Sequence, residues 1–189
     1  MNELDSLYGE TILTYAQNPS GKVAANTDAY NELKACSNGS TNGCSSSKSG
    51  TKTGGKGSDG GTNPADKNAT NPGVCSHQFN PTCGDEITLR AIINDDIIQE
   101  IEWIGEGCSI SLASASVLTD LITGRTTTDA MDLIKLFLSL MNSKGEGVDA
   151  ESEEKLEDAA IFQSVSTFPM RIKCALISWM ALKDSILNN

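Results

Sequence analysis

Cys83 and Asp85 stand two positions apart in the stretch FNPTCGDEITL, with only Gly84 between them. A thiol and a carboxylate that close together can serve one metal ion, or they can form a plain turn in which the aspartate caps the backbone and the cysteine is packed. Two further cysteines fall at telling places. Cys108 follows Gly-Glu-Gly and opens a stretch that turns helical, and Cys174 lies about one turn inside the last helical stretch. Unpaired N–H groups at a helix start favour the anion of a thiol. Gly84, Gly105 and Gly107 free the backbone to wrap around an ion. Cys83, Asp85, Cys108 and Cys174 thus make a set of three thiolates and one carboxylate, which Zn²⁺ accepts tetrahedrally. Such a set stays net negative with the ion in place and calls for a nearby cation. Arg171, three residues before Cys174, projects from the same helix face and is expected to neutralise or orient the site. On spacing alone the signal is weak, because no CxxC pair accompanies it.

The elements that must hold these residues are readable. LDSLYGETILTY places Leu4, Tyr8, Ile12 and Tyr15 near one helical face, and the Pro and Gly of QNPSG end it. EITLRAII alternates at Ile87, Leu89 and Ala91, Asp95-Asp96 makes a turn, and IIQEIEWIG alternates at Ile97 or Ile98, then Ile101 and Trp103. This is a hairpin, to which residues 74–82 add a third strand. From Ser109 onward the pattern is helical. A small-residue helix stops at Gly124, and a second opens with Thr/Asp capping chemistry. A third starts in the acidic run ESEEKLED, and a fourth opens on Pro169. Strands first and helices after predict an α+β fold, a small antiparallel sheet of about three strands covered on one face by helices.

Residues 37–71 interrupt this order. They contain no Val, Ile, Leu, Met, Phe, Trp or Tyr, and are expected to be a disordered insertion in one domain spanning residues 1–189. A folded domain tolerates such a loop because closure entropy grows only logarithmically with length. The chain carries 25 acidic and 14 basic residues among 189, a net charge of −11. That balance argues against general binding to nucleic acid or anionic membranes, which needs clustered Lys and Arg. The acidic N-terminus does not read as a secretory signal, and no apolar run approaches a membrane span, so a cytoplasmic protein is expected. In a reducing compartment disulfides explain the six cysteines poorly, and metal or thiol chemistry is the better prior. Cys44 sits in the insertion and is expected to be inert. Cys36 and Cys75 flank it. A bridge or a second metal site is open to them, and an uneventful pair of thiols is the expectation. His77, the single histidine, is expected on a strand surface, Trp103 and Trp179 in the core or an interface, and the acidic run 146–158 in solvent.

NPTCGDEITL, GEGCSISLASASVLTDLITGR and FPMRIKCALISWMALK resemble the three signature blocks of the IscU/SufU family of iron–sulfur assembly proteins. The resemblance covers the chain apart from the insertion. It is nearer the SufU branch in two respects: the long interval between Cys108 and Cys174, and Lys173 where the IscU scaffold branch carries a histidine able to ligate metal. The resemblance implies a zinc-dependent sulfur acceptor that takes persulfide sulfur from a PLP-dependent cysteine desulfurase of the SufS type. It implies Cys83 as the acceptor thiolate and, together with Asp85, Cys108 and Cys174, as a zinc ligand. It also implies that a histidine of the desulfurase replaces Cys83 on the metal, freeing it as nucleophile, and that the sulfur passes on to cluster assembly. The alternative it leaves open is a scaffold that builds a labile [2Fe–2S] cluster on the same cysteines.

Overall fold

The computed structural model describes residues 3–37 and 73–189. The expected insertion begins at Ser37 and from residue 38 lies outside the described residues, as does Cys44. The side chain of Leu4 also lies outside them. The elements run α1 (Glu3–Gln17), α2 (Asp28–Ser37), β1 (Val74–Asn80), β2 (Asp85–Asn94), β3 (Ile97–Glu106), α3 (Ser109–Ile122), α4 (Thr127–Asn142), α5 (Ala150–Leu156), a 3₁₀ segment (Glu157–Thr167) and α6 (Pro169–Leu187). The three strands form one antiparallel sheet in sequence order, which is the expected α+β class.

The β2–β3 hairpin turns at Asp95 and Asp96, both with positive φ, the pairing whose twist suits a two-residue hairpin. A register shift follows at once: Ile93 pairs with Ile98 but Ile92 with Glu100, leaving Gln99 unmatched. This bulge resolves the open choice in the sequence. It lets Ile98 and Ile101, three residues apart, both face the core with Trp103, while Ile97 stays partly exposed. Ile87, Leu89, Ala91 and Ile93 from β2 complete that face, and α6 and α3 cover it.

The small residues of α3 have a packing reason. Ser111, Ala113, Ser114, Ala115 and Ser116 are all buried, so α1 and α6 can approach closely. Ser114 Oγ donates to the carbonyl of Ala175 at 2.6 Å and accepts from Trp179 Nε1 at 3.0 Å, which ties α3 to α6 inside the core. Trp179 stacks on Phe137 of α4 at 4.0 Å. Ile12 on α1 joins the same core, with Tyr8 and Tyr15 packed at its edge. Thr126 caps α4 through Asp129 N, and Asp149 caps α5 through Ser152 N.

Two elements depart from the sequence pattern. The helix expected to start in the acidic run stops at Leu156, where Glu157 adopts a positive φ, and 3₁₀ turns follow. Ala159, Phe162 and Val165 then recur every third residue and are all buried, the spacing that three residues per turn aligns on one face. Helix α2 was not expected. It lies over the sheet face carrying Thr88 and Arg90, opposite the main core, and buries a single leucine, Leu33. One apolar anchor in ten residues leaves almost no periodic signal. Arg90 holds this face together: its guanidinium pairs with Glu32 of α2 and with Glu102 of β3 (Nε to Oε2, 2.9 Å). Burial opposes the arginine's charge, but the two carboxylates outweigh it and raise its pKa.

Cys36 and Cys75 depart from expectation as well. They are joined as a disulfide between the last turn of α2 and β1, with Cα atoms 6.3 Å apart. Helix α2 is the reason: by docking on the sheet it carries Cys36 onto the strand that opens after the insertion, and their Cα distance is ordinary for a bridge. His77 is exposed on β1 as expected, with Nδ1 2.9 Å from Thr88 Oγ1 on the neighbouring strand. No helix among the described residues is long and apolar enough to cross a membrane.

Candidate metal centre

The β1–β2 turn is built to present one side chain. Asn80 and Asp85 pair at the strand ends, and Pro81-Thr82-Cys83-Gly84 closes between them. The Asn80 carbonyl accepts from Gly84 N at 2.9 Å, and Asn80 Oδ1 accepts from Thr82 N at 3.1 Å. Gly84 takes a left-handed conformation (φ +76°) that a side chain would strain. Cys83 is thereby held outward at the tip.

Asp85, the first residue of β2, is buried and points toward the start of α3. Its Oδ1 accepts from Cys108 N at 3.0 Å, and its Oδ2 lies 3.3 Å from Cys108 Sγ. Cys108 occupies the N-cap position but supplies no side-chain cap, so the aspartate of a distant strand satisfies that helix end instead. The approach requires Gly107, because a Cβ there would stand 2.9 Å from Asp85 Oδ1 and 2.5 Å from Ser111 Oγ. Gly105 has a different reason, since its Cβ would collide with the Glu86 carbonyl across the strand pair at 2.3 Å.

The third thiol comes from α6. Pro169 opens that helix, and Cys174 sits one turn in, buried, with its Sγ 3.2 Å from Cys83 Sγ. Ligand atoms of Cys83, Asp85 and Cys174 all lie within 4.8 Å of one another. Cys108 stands beside this trio and reaches it through Asp85. Three of the four expected donors are therefore already grouped, and the fourth touches the group's carboxylate.

The electrostatics suit a cation. Burial works against the Asp85 charge, yet hydrogen bonds from the Cys174 and Cys83 thiols and from the backbone and thiol of Cys108 prevail and lower its pKa. Burial, then the neighbouring Asp85 and Cys83, push the Cys174 thiol up. A carboxylate kept ionised among three thiols is a donor set suited to a metal cation. Sulfur and carboxylate donors fit Zn²⁺, and thiolates equally suit iron.

A cavity of about 870 Å³ opens beside the thiols. Cys83, Cys108 and Cys174 line it on one side, and α1 (Ile12, Leu13) and the 3₁₀ segment wall it on the other. Leu13, Phe168 and Met170 are exposed at this cavity, an apolar lining that the sequence reading did not single out. Arg171 lines the same cavity, with its guanidinium 5.0 Å from the centre of the Phe168 ring. Lys173 faces elsewhere, in a small groove with Phe79, Pro81 and Leu176. Asn80 is a second residue that sequence reasoning missed: besides bracing the turn, its buried amide Nδ2 lies 3.9 Å from Cys174 Sγ. The Asn-Pro pair entering a turn was its only signal.

Comparison with known proteins agrees with this geometry. The family model described as the NifU-like N terminal domain matches residues 59–175. The chain is 40% identical over 124 residues to the zinc-dependent sulfurtransferase SufU of Bacillus subtilis, covering 66% of this chain and 82% of that protein. It is 37% identical over 107 residues to the iron-sulfur cluster assembly scaffold protein IscU of Streptococcus pyogenes, covering 57% of this chain and 65% of that one. Among solved structures, an iron-sulfur cluster assembly scaffold protein for the SUF system from Fervidobacterium islandicum superposes with a TM-score of 0.54 at 33% identity, over 59% of this chain and 79% of that one. A NifU-like N-terminal protein from Brucella abortus shares the fold, with a TM-score of 0.63 at 15% identity over 99% and 96% of the two chains. The chain belongs to the NifU-like N-terminal domain family, the family of the IscU and SufU proteins.

Proposed function

We propose that this protein serves iron–sulfur cluster assembly as a sulfur acceptor, and that Cys83 receives sulfane sulfur from a PLP-dependent cysteine desulfurase of the SufS type. The observation that carries the proposal is the contrast within one group of ligand atoms: Asp85 and Cys174 are buried, while Cys83, within 4.8 Å of both, is exposed beside an open cavity. Asp85, Cys174 and Cys83 would hold Zn²⁺, with Cys108 adjoining through Asp85. When bound, the ion would keep these sulfurs as thiolates and shield them from oxidation. Lys173, lining a separate groove, adds no donor to the set.

The chain's own residues account for the transfer. The Asn80–Gly84 turn, braced by its own hydrogen bonds, holds Cys83 at the exposed rim of the ligand group. Its thiolate attacks the terminal sulfur of the donor's cysteine persulfide, forming a new S–S bond to Cys83. The donor's S–S bond breaks, and its cysteine leaves as thiolate. Arg171 at the cavity offsets the negative charge gathered there, and the apolar lining of Leu13, Phe168 and Met170 excludes water from a docked loop. One domain spanning both described segments, in the cytoplasm, fits this role.

A second reading draws support from the IscU relative: the same thiols could carry a [2Fe–2S] cluster. Two measurements separate the readings. Zinc-loaded protein should accelerate alanine production by a cysteine desulfurase, and Cys83→Ala should abolish the acceleration; its survival would remove Cys83 from the role. Anaerobic reconstitution with iron and sulfide should give no stable stoichiometric cluster. A cluster that activates an apo-enzyme would favour the scaffold.

A further inference from the structure

The Cys36–Cys75 pair lies away from the metal centre and plays no part in the transfer above. Cys36 lies in the last turn of the helix that covers the Arg90 face, and Cys75 sits directly opposite Arg90 in the β1–β2 register. Among the described residues of α2, Leu33 is the one buried side chain, and Glu32 pairs with Arg90. Both cysteines are only half-buried, so small thiols and disulfides can reach them. Arg90, beside them on this face, pairs with Glu32 and Glu102.

We propose that Cys36 and Cys75 form a second thiol site, a reversible redox clasp that locks α2 onto the sheet edge and covalently closes the chain segment between them. In the oxidising step the two thiols lose two electrons and two protons, forming the S–S bond. A low-molecular-weight disulfide takes up those electrons and protons and is cleaved to two thiols. A dithiol reverses the step by exchange. The clasp gains stability by removing freedom from the unfolded chain, and the separation of 39 residues makes that gain large. In a reducing compartment the pair rests open and α2 is held by its noncovalent contacts, Leu33 and the Arg90–Glu32 pair among them. Oxidant closes it, and the metal-bound thiols at the other end of β1 are not consumed.

The test uses the full zinc-loaded chain, exposed to glutathione disulfide or to dithiothreitol, then alkylated, digested and read by mass spectrometry. A Cys36–Cys75 linked peptide that appears on oxidation and vanishes with dithiothreitol supports the clasp. The oxidised protein should melt roughly 5–15 °C higher than the reduced one, with slower amide exchange in α2. This comparison needs no variant, and Cys36→Ser should abolish both differences. Equal alkylation of both thiols before and after oxidation, or their capture only by glutathione or Cys44, would overturn the proposal. Zinc content and sulfur uptake on Cys83, read in the same samples, report separately on the metal centre.

Discussion

Two regions of this molecule gather sulfur, and they do so on opposite terms. At one end of β1, Cys83, Cys108 and Cys174 converge on a buried carboxylate beside a large cavity, and all three remain free thiols. At the other end, Cys36 and Cys75 meet at a seam between helix and sheet where an arginine has claimed the nearby carboxylates, and they bond to each other. The difference lies in what surrounds the sulfur. Asp85 offers an acceptor and a negative charge that a metal can share, so the thiols around it have a use while unbonded. On the other face Arg90 pairs with the carboxylates of Glu32 and Glu102, and there the two sulfurs bond to each other. Cysteine spacing alone does not separate the two cases.

Substitutions can break this contrast, beginning where the effect should be greatest. Cys83→Ala should reduce sulfur transfer to the rate of the donor alone, measured as alanine release, and leave the Cys36–Cys75 bridge intact by mass spectrometry. Asp85→Asn keeps the shape and the acceptor for Cys108 N but removes the charge. Metal affinity should fall by at least about tenfold to a hundredfold in a chelator competition titration, since even outer-shell changes cost that much. An unchanged affinity would strip Asp85 of its central place. Cys75→Ser should lower the melting temperature of the oxidised protein by several degrees without changing its zinc content, and any loss of zinc would mean that the two regions are coupled.

The smallest effect falls outside both regions, where α1 meets the 3₁₀ segment. Tyr15 on α1 donates to Asp158 in the 3₁₀ segment. That hydrogen bond, with burial and the charges of Asp158 and Asp120, raises the phenol's pKa to about 12. A pKa raised in the folded state contributes stability below the unfolded value near 10, and the contribution is lost as pH rises through about 12. An alkaline absorbance titration should show one late tyrosine, absent in Tyr15→Phe.

The fold was largely legible because its elements are periodic. β2 alternates apolar and polar residues from Ile87 to Ala91, α4 carries its cap, and α6 opens on proline. Legibility failed where periodicity was thin or changed. Helix α2 shows one buried residue, and the 3₁₀ segment carries a three-residue repeat that a helical reading blurs into α. The site was half legible. Cys83 and Asp85 are near in sequence and near in space. Cys174 alone reads as a core residue, and Cys108 alone as a small helix start.

By itself the sequence determined the donor types, the glycines around them and the elements that carry them, because local chemistry and periodicity are written in neighbouring residues. Only the tertiary structure decided which sulfur meets which partner. Cys174 lies beside Cys83 and Cys108 beside Asp85 because α3 and α6 dock through Ser114 and Trp179. Cys36 reaches Cys75 because α2 folds back over the sheet. Contacts between residues distant along the chain depend on how whole elements pack, and packing is a property of surfaces that no short stretch of sequence contains.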